Sequence, residues 1–295
     1  IQMIVNADCI EHLKTIEDNH FDSVVTDPPY HLTSIAKRFT NSTEAKYGKD
    51  GSFQRLSKGF VGHAWDGGDI AFTTDLWKEV YRTIKPGAVL LAFAATRNYH
   101  RMATAIEDSG FEIFDMINWI YGSGFPKRKN LLKPAHEPIV MARKGVNKPL
   151  NLDECRVGDF EQDTSKNRRN TQEEQIFKGG WKGDKGGEVE KGRGPANVIH
   201  DGLEEDWSKY FYCSKASKKE KDDTNHPTVK PIDLMRYLVK LVTPKDGLVL
   251  DPFAGTGTTG EACILEGRNY YLIEKTKEYI PDIEKRINKY DRLGI

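Results

Sequence analysis

Short apolar runs alternate with segments of helical spacing along much of the chain. The runs predicted to be buried strands are 2–6, 23–26, 88–94, 111–121, 136–142, 210–213, 248–250 and 270–273. The segments predicted to be helices are a short one around Ile10, Leu13 and Ile16, then 75–85, 97–109, 231–242, 258–266 and a last one ending near Tyr290. This alternation predicts an α/β domain with a mostly parallel sheet and helices on both faces.

Two details of this pattern carry specific expectations. Pro86-Gly87 is expected to end the helix over 75–85 before the next strand begins. The strands 111–121 and 136–142 are expected to form an antiparallel pair.

Two polar stretches interrupt the alternation. Residues 31–65 are rich in Ser, Thr, Lys and Gly, and a loop of that length inside a compact domain is usually functional or mobile. Residues 144–208 are rich in Lys, Arg, Gly, Asn and Gln and poor in apolar side chains, which predicts an insert. We therefore expect a main domain in two parts, 1–143 and 209–295, separated by the insert.

Composition adds limits rather than a function. The chain has 295 residues with 44 basic and 44 acidic side chains, so a strongly basic nucleic-acid binder is not indicated, although local patches remain open. The four cysteines are far apart in sequence, which argues against a zinc knuckle or a disulfide framework, and no metal site is expected. No apolar run reaches membrane-spanning length and no signal peptide is visible, so a soluble, cytoplasmic protein is predicted.

A glycine-rich loop follows the predicted strand 248–250 and opens a helix. Gly255, Gly257 and Gly260 have the spacing of a dinucleotide fingerprint, and Glu274 follows about twenty residues later at the end of the next strand. NAD, FAD and S-adenosylmethionine (AdoMet) enzymes all use such loops, and a purely structural glycine turn is the alternative.

The residues before these glycines favour AdoMet. Asp251 and Phe253 would place a carboxylate and an aromatic ring beside a ligand that carries an ammonium, a sulfonium and an adenine. The loop also lies close to the C-terminal end of the sequence, whereas a NAD domain usually needs several further βα units.

A second block, Asp27-Pro28-Pro29-Tyr30, follows the strand 23–26. The prolines fix φ and remove backbone donors, so carbonyl oxygens are left free to accept. A carboxylate, a free carbonyl and a flat ring suit a planar amino group such as adenine N6 or cytosine N4; the alternative is a stiff turn. Because ligands bind at the carboxyl ends of parallel strands, the two blocks should meet in space.

Four blocks in this order give the chain a family resemblance. They are Thr26–Tyr30, Gly122–Lys127, His226–Pro231 and Asp251–Thr258. The chain resembles the β-class DNA amino-methyltransferases, in which the Asp-Pro-Pro-Tyr block precedes the AdoMet loop. The resemblance implies a class I AdoMet-dependent methyltransferase (Rossmann-like) fold in circularly permuted order, with 144–208 as an inserted target-recognition region. It also implies that the two ends of the chain lie close together.

The resemblance assigns roles to single residues. Asp27, Pro28, Pro29 and Tyr30 are the expected catalytic residues. The expected cofactor-binding residues are Asp8, Lys230, Asp251, Phe253, Gly255, Gly257, Thr258 and Glu274. Of these, Asp8 should contact the AdoMet adenine, Glu274 the ribose and Lys230 the cofactor carboxylate. The alternatives are that Asp8 caps a helix, that Lys230 is a solvated lysine and that Glu274 is a surface acid.

By the same resemblance the substrate is double-stranded DNA with a base extruded into the pocket. The candidate DNA-binding residues are Lys37, Arg38, Lys127, Arg128, Lys129, Arg168, Arg169, Lys178 and Lys182, although any single lysine is more often a solvated surface charge. A homodimer and a cognate restriction enzyme are further expected partners.

The expected reaction is methyl transfer from AdoMet to adenine N6. Cytosine N4 remains the alternative, and Asp27 favours adenine because the cytosine enzymes of the family more often carry Ser at that position. A C5-cytosine mechanism would need a Pro-Cys nucleophile, and no cysteine here follows a proline. The non-enzymatic alternative is a methyltransferase-like subunit that only binds DNA.

Overall fold

The computed structural model describes residues 1–30, 69–121, 132, 135–163, 189–200 and 229–291. The strands are β1 (Gln2–Asn6), β2 (Phe21–Thr26), β3 (Ile84–Phe93), β4 (Glu112–Ile120), β5 (His136–Arg143), β6 (Val157–Asp163), β7 (Val189–Arg193), β8 (Val198–His200), β9 (Leu248–Asp251) and β10 (Asn269–Glu274). The helices are α1 (Cys9–Leu13), α2 (Thr74–Thr83), α3 (Tyr99–Glu107), α4 (Ile232–Val242), α5 (Thr258–Leu265) and α6 (Ile280–Asp291). Short 3-10 turns cover Ile70–Phe72, Asp153–Cys155 and Lys277–Tyr279.

Eight of these strands form one sheet in the order β1-β10-β9-β2-β3-β5-β4-β8. Within it β5 runs antiparallel to both neighbours, and the other pairings are parallel. The predicted antiparallel pair is therefore confirmed, with Ile117 opposite Ile139. The first strand lies beside the last one, and α6 follows β10, so joining the ends would give one unbroken succession of strands and helices. This is the circularly permuted order that was predicted; the proximity of the two ends stays a prediction because residues 292–295 lie outside the described part.

Helices cover both faces of the sheet because the central strands are apolar on both sides. Val25 and Val249 belong to the core cluster beneath α4, α5 and α6, while Val24 and Leu250 belong to the cluster on the opposite face, beneath α1, α2 and α3. Near-continuous apolar runs of this kind are typical of parallel strands buried between two helical layers.

The start of β3 differs from the sequence-based prediction. The helix ends at Thr83 and the strand begins at once, so Pro86-Gly87 lies inside β3 rather than between helix and strand. Gly87 adopts φ of +80° and its N–H donates to the Lys144 carbonyl. The pairing of β2 with β3 shifts register between Phe21 and Ser23, so the irregular backbone forms a bulge instead of a stop.

Part of the predicted insert is tied to the main domain. β8 pairs with β4 in the large sheet, whereas β6 and β7 form a separate antiparallel pair. The Asn151 side-chain amide donates to the carbonyls of Lys240 and Thr243, and the buried Arg268 contacts Glu154 at 2.8 Å. These contacts fix the start of the region; the strand predicted at 210–213 lies outside the described residues.

No helix in the described part of the chain is long and apolar enough to cross a membrane.

Candidate active site

The two predicted blocks meet at the carboxyl ends of β2 and β9. Ser23 pairs with Val249 and Val24 with Leu250, so the strands are direct neighbours. The Thr26 hydroxyl donates to Asp251 Oδ1 over 2.8 Å, across 225 positions of sequence. Because the chain winds away in opposite directions from these two strands, the crevice between them is where an open α/β sheet binds its ligand.

Left-handed backbone shapes the glycine loop. Gly255 and Gly257 have φ of +55° and +79°, which favours glycine. A Cβ placed on Gly257 would lie 2.8 Å from Ile283 Cγ2 on α6, and one on Gly260 would lie 2.7 Å from Leu272 Cδ1 on β10. These two glycines therefore allow the loop and α5 to pack closely on the protein itself.

Asp251 points inward and holds the loop together. Its carboxylate is 2% exposed and accepts from Thr26, from the Thr259 hydroxyl at 2.5 Å and from the Phe253 N–H at 3.1 Å. Burial raises the pKa of Asp251 to about 6, although these hydrogen bonds act in the opposite direction. Phe253 is half-buried against the core cluster beneath α1, α2 and α3, and Thr258 is the first residue of α5.

Glu274 reaches from the end of β10 into the same loop. One carboxylate oxygen accepts from the Gly255 N–H at 2.8 Å and the other from the Thr276 N–H at 2.7 Å. The residue is 8% exposed, which rules out a solvated surface acid, and burial raises its pKa.

Asp8 caps α1, as the alternative interpretation stated. Its Oδ1 accepts from the N–H groups of Ile10 and Glu11, and its Oδ2 accepts from Lys275 at 3.0 Å. The hydrogen bond from Lys275 is the largest of the effects that lower the pKa of Asp8. A role for Asp8 in contacting the cofactor stays a prediction.

The opposite wall of the crevice contains a buried cation. Lys230, just before α4, is 8% exposed, so it is not a solvated lysine. Its ammonium lies 2.6 Å from Asp27 Oδ2 and 3.2 Å from the Tyr30 hydroxyl. Burial lowers the pKa of Lys230, but the carboxylates of Asp27 and Glu137 outweigh burial and leave it above its usual value.

Glu137 is a site residue that the sequence interpretation missed. It lies at the start of β5 and accepts from the Tyr30 hydroxyl at 3.2 Å, and the same oxygen is 3.2 Å from Lys230 Nζ. Because β5 is antiparallel, its amino end lies at the edge where the parallel strands have their carboxyl ends. The predicted antiparallel pair was the signal that could have located Glu137.

Tyr30 is fixed at both its ends. Its backbone carbonyl accepts from the Asn98 side-chain amide at 2.6 Å, and its hydroxyl lies in the Lys230 and Glu137 network. Burial, followed by the charges of Asp27 and Glu137, raises the pKa of the Tyr30 hydroxyl well above its usual value, so this group remains a neutral donor.

One acceptor in this network is unsatisfied. Asp27 Oδ1 is buried and has no hydrogen-bond partner within the described ranges, whereas Oδ2 of the same carboxylate accepts from Lys230. An unpaired buried acceptor costs stability, so a native structure that keeps one calls for an explanation.

The residues predicted to bind DNA cannot be placed. They all lie outside the described residues: Lys37, Arg38, Lys127, Arg128, Lys129, Arg168, Arg169, Lys178 and Lys182.

The crevice fits AdoMet in its chemistry. Acidic side chains close the ends of β1 and β10, where the hydroxyl and amino groups of a nucleoside can donate, and a glycine loop leads into α5 beside them. The fold and this site define a class I AdoMet-dependent methyltransferase.

Comparison with known proteins identifies the family. The model of the N6 and N4 methyltransferase family, described as DNA methylase, matches residues 21–285, and the chain belongs to this family. Its cofactor is S-adenosylmethionine.

Curated relatives extend over nearly the whole chain. The type II methyltransferase M.HpaI of Haemophilus parainfluenzae is 26% identical over 97% of this chain and 74% of its own length. The type II methyltransferase M2.MboI of Moraxella bovis is 25% identical over 96% and 86%.

Solved structures agree on the fold. The M1.HpyAVI–SAM complex superposes with a TM-score of 0.56 at 19% identity, covering 98% of this chain and all of that one. The cytosine-N4-specific PvuII DNA methyltransferase gives a TM-score of 0.58 at 17% identity, covering 99% and 92%.

Proposed function

We propose that this enzyme transfers the methyl group of AdoMet to the exocyclic N6 of an adenine that is flipped out of duplex DNA. The observation that carries the proposal is Oδ1 of Asp27, which is buried just after β2 beside the AdoMet loop and has no partner in the described part of the chain. A target amine placed there would give this oxygen the hydrogen-bond donor that it lacks.

The amine needs help because its lone pair is delocalised into the ring. Asp27 Oδ1 can accept one N–H, and the carbonyl of Pro28 is a second candidate acceptor in the same block. Two acceptors in fixed directions draw the nitrogen towards tetrahedral geometry and aim its lone pair at the loop. AdoMet, when bound, supplies an electrophilic methyl carbon on a sulfonium.

Positive charge would develop on the nitrogen as the N–C bond forms and the S–C bond of the sulfonium breaks. S-adenosylhomocysteine would be the leaving group, and the nitrogen would then lose one N–H proton. Asp27 stabilises this charge through an electrostatic interaction that is set up before the reaction. Tyr30 offers a flat ring for stacking, and the hydrogen bond from Asn98 to its carbonyl holds the backbone there. Asp27 also favours adenine over cytosine, because the cytosine enzymes of the family more often carry Ser at this position.

Contacts to DNA come from the segments outside the described residues. We propose that the basic residues of 31–65, of Lys127-Arg128-Lys129 and of 144–208 hold the duplex through its phosphates and offset the few kcal/mol, roughly, that flipping requires. A homodimer and a companion restriction enzyme are further proposals that rest on the resemblance. Light scattering of the purified protein checks the first of them.

The test is methyl transfer to plasmid DNA from a methylation-deficient host, with tritiated AdoMet as donor. We expect the parent to label the DNA and Asp27→Ala to lose label at least about 10²–10³-fold, since it removes a preorganised electrostatic contact. AdoMet affinity, measured by calorimetry, should remain nearly intact. Asp153→Ala, whose side chain is 89% exposed, is the matched control and should behave as the parent.

The outcomes separate the alternatives. Digestion of the labelled DNA should yield N6-methyladenine; N4-methylcytosine would assign the enzyme to the other base. Tight DNA binding without label on any DNA would favour a binding subunit. Loss of AdoMet affinity in Asp27→Ala would contradict the role assigned to this residue.

A further inference from the structure

Three charged side chains from distant parts of the chain meet at the proposed reaction centre. Asp27 directly follows β2, Glu137 is the second residue of β5 and Lys230 precedes α4. Lys230 Nζ lies 2.6 Å from Asp27 Oδ2 and 3.2 Å from Glu137 Oε2. The rings of Tyr30 and Phe93 lie 5.4 and 4.8 Å from the same nitrogen. The charges therefore interact in surroundings with little water, where each one counts for more.

Lys230 alone would weaken the proposed function of Asp27. A cation paired with the carboxylate offsets the negative charge that is needed beside a nitrogen becoming positive. Glu137 changes this balance, because two carboxylates and one ammonium leave one net negative charge. The hydroxyls of Tyr30 and Tyr121 also donate to Glu137, at 3.2 and 3.4 Å, and keep its carboxylate in place.

Lys230 donates two hydrogen bonds in this arrangement and has an ion-pair partner beside them. An ammonium has three N–H groups. The structure provides three oxygens for them: Asp27 Oδ2, the Tyr30 hydroxyl and Glu137 Oε2. The expected contact between Lys230 and the carboxylate of AdoMet would compete with these three oxygens for the ammonium.

We propose that Glu137 is a positioning residue for methyl transfer. It holds the Lys230 ammonium on Asp27 Oδ2, so that Oδ1 stays directed to the target amine, and it restores the net negative charge that stabilises the cationic nitrogen. This inference rests on the proposed function and assigns Lys230 to the carboxylate network instead of the cofactor.

Charge substitutions test this proposal because they should change the transfer rate in opposite directions. Glu137→Gln should slow transfer, and adding Lys230→Gln should partly restore it. Glu137→Gln keeps the shape and leaves Asp27 and Lys230 with no net charge. Single-turnover methyl transfer to the same plasmid DNA should slow at least about tenfold, a modest share of what one charge a few ångströms away exerts at an effective dielectric constant of about 20. Adding Lys230→Gln brings the net negative charge back. The double variant should therefore transfer several-fold faster than Glu137→Gln alone.

The controls separate charge balance from structural damage. Glu112→Gln, on the neighbouring β4 with a 55% exposed side chain, should leave the transfer rate unchanged. The AdoMet dissociation constants of Glu137→Gln and Lys230→Gln should lie within about twofold of the parent value. A double variant that is as slow as Glu137→Gln, or slower, would contradict the proposed charge balance. A large loss of AdoMet affinity in Lys230→Gln would show that Lys230 binds the cofactor.

The same experiment distinguishes failure of this inference from failure of the proposed function. A parent that transfers no methyl group, or an Asp27→Ala variant that remains active, would remove the proposed function itself. A parent that transfers, an inactive Asp27→Ala variant and an unimpaired Glu137→Gln variant would remove only the role of Glu137.

Discussion

Two regions of the site, the ends of β9 and β10 on one side and the end of β2 on the other, differ in how their carboxylates are hydrogen-bonded. At the end of β9, both oxygens of Asp251 accept hydrogen bonds, and at the end of β10 both oxygens of Glu274 do so as well. At the end of β2, one oxygen of Asp27 is buried without a partner among the described residues. The first region uses its polar groups to hold a loop in shape, whereas the second keeps the acceptor that we propose for the target amine.

This difference indicates where substitutions should act. Changes around the glycine loop should alter stability and cofactor affinity together, because the groups there support each other. Changes at Asp27 should alter the rate, because its Oδ1, which has no partner among the described residues, adds no stabilising hydrogen bond to the folded state.

The largest effect is expected at Gly257. Gly257→Val combines a left-handed backbone with a Cβ 2.8 Å from Ile283, so the loop must move and AdoMet binding should be lost. The contact is with α6 rather than with the ligand.

Gly145→Val is the matched control, with φ of +63° and nothing within 4 Å of the added Cβ. It should cost about 1–2 kcal/mol of unfolding free energy and leave AdoMet affinity unchanged. Retained AdoMet affinity in Gly257→Val would place the cofactor elsewhere.

The next effect concerns the support behind the loop. Glu261 on α5 is buried and accepts from Arg286 at 2.7 Å, from Lys289 at 2.5 Å and from Tyr290 at 2.7 Å. Arg286 in turn donates to the Thr256 carbonyl inside the loop. Glu261→Gln leaves a buried arginine undercompensated and should cost about 3 kcal/mol of unfolding free energy, with weaker AdoMet binding.

Glu112→Gln, whose 55% exposed side chain pairs with Arg143, is the control for that variant and should cost at most about 1 kcal/mol. Equal effects of the two substitutions in urea unfolding would show that burial of the Glu261 network does not matter.

A smaller effect should appear in the pH dependence of stability. The folded-state pKa of Asp251, about 6, lies above its usual value of 3.8, so between these values the native state binds more protons than the unfolded chain. The contribution of Asp251 is therefore fully present below pH 4 and is lost as pH rises through 6. From pH 4.5 to pH 7 the parent should lose about 2 kcal/mol through this residue, and Asp251→Asn should not. Urea unfolding of both proteins at the two pH values measures the difference, and parallel pH profiles would contradict it.

The elements of the fold were predictable because their signals are local. The runs at 2–6 and 248–250 needed only their own apolar residues, and the loop at 255–260 needed only its glycine spacing. Pro86-Gly87 misled the prediction because a bulge and a helix stop have the same residues. The difference is set by the Lys144 carbonyl and the β2 register, both distant in sequence.

The site was predictable in its residues but less so in their contacts. Asp251 accepts hydrogen bonds from Thr26 and Thr259, partners that the sequence did not indicate, since the direction of a carboxylate depends on donors from other elements. Its role beside the cofactor stays a prediction. The partners of Lys230 lie 203 and 200 positions away, at Asp27 and Tyr30. No spacing pattern indicates such pairs, whereas the fold brings them together.

The most direct measurement is a crystal structure of the enzyme with an unreactive AdoMet analogue and its target duplex. We expect the flipped amine nitrogen to lie about 2.7–3.2 Å from Asp27 Oδ1, with Lys230 still on Oδ2. An amine bound elsewhere, with Asp27 Oδ1 still unpaired or taken by another protein group, would contradict the account.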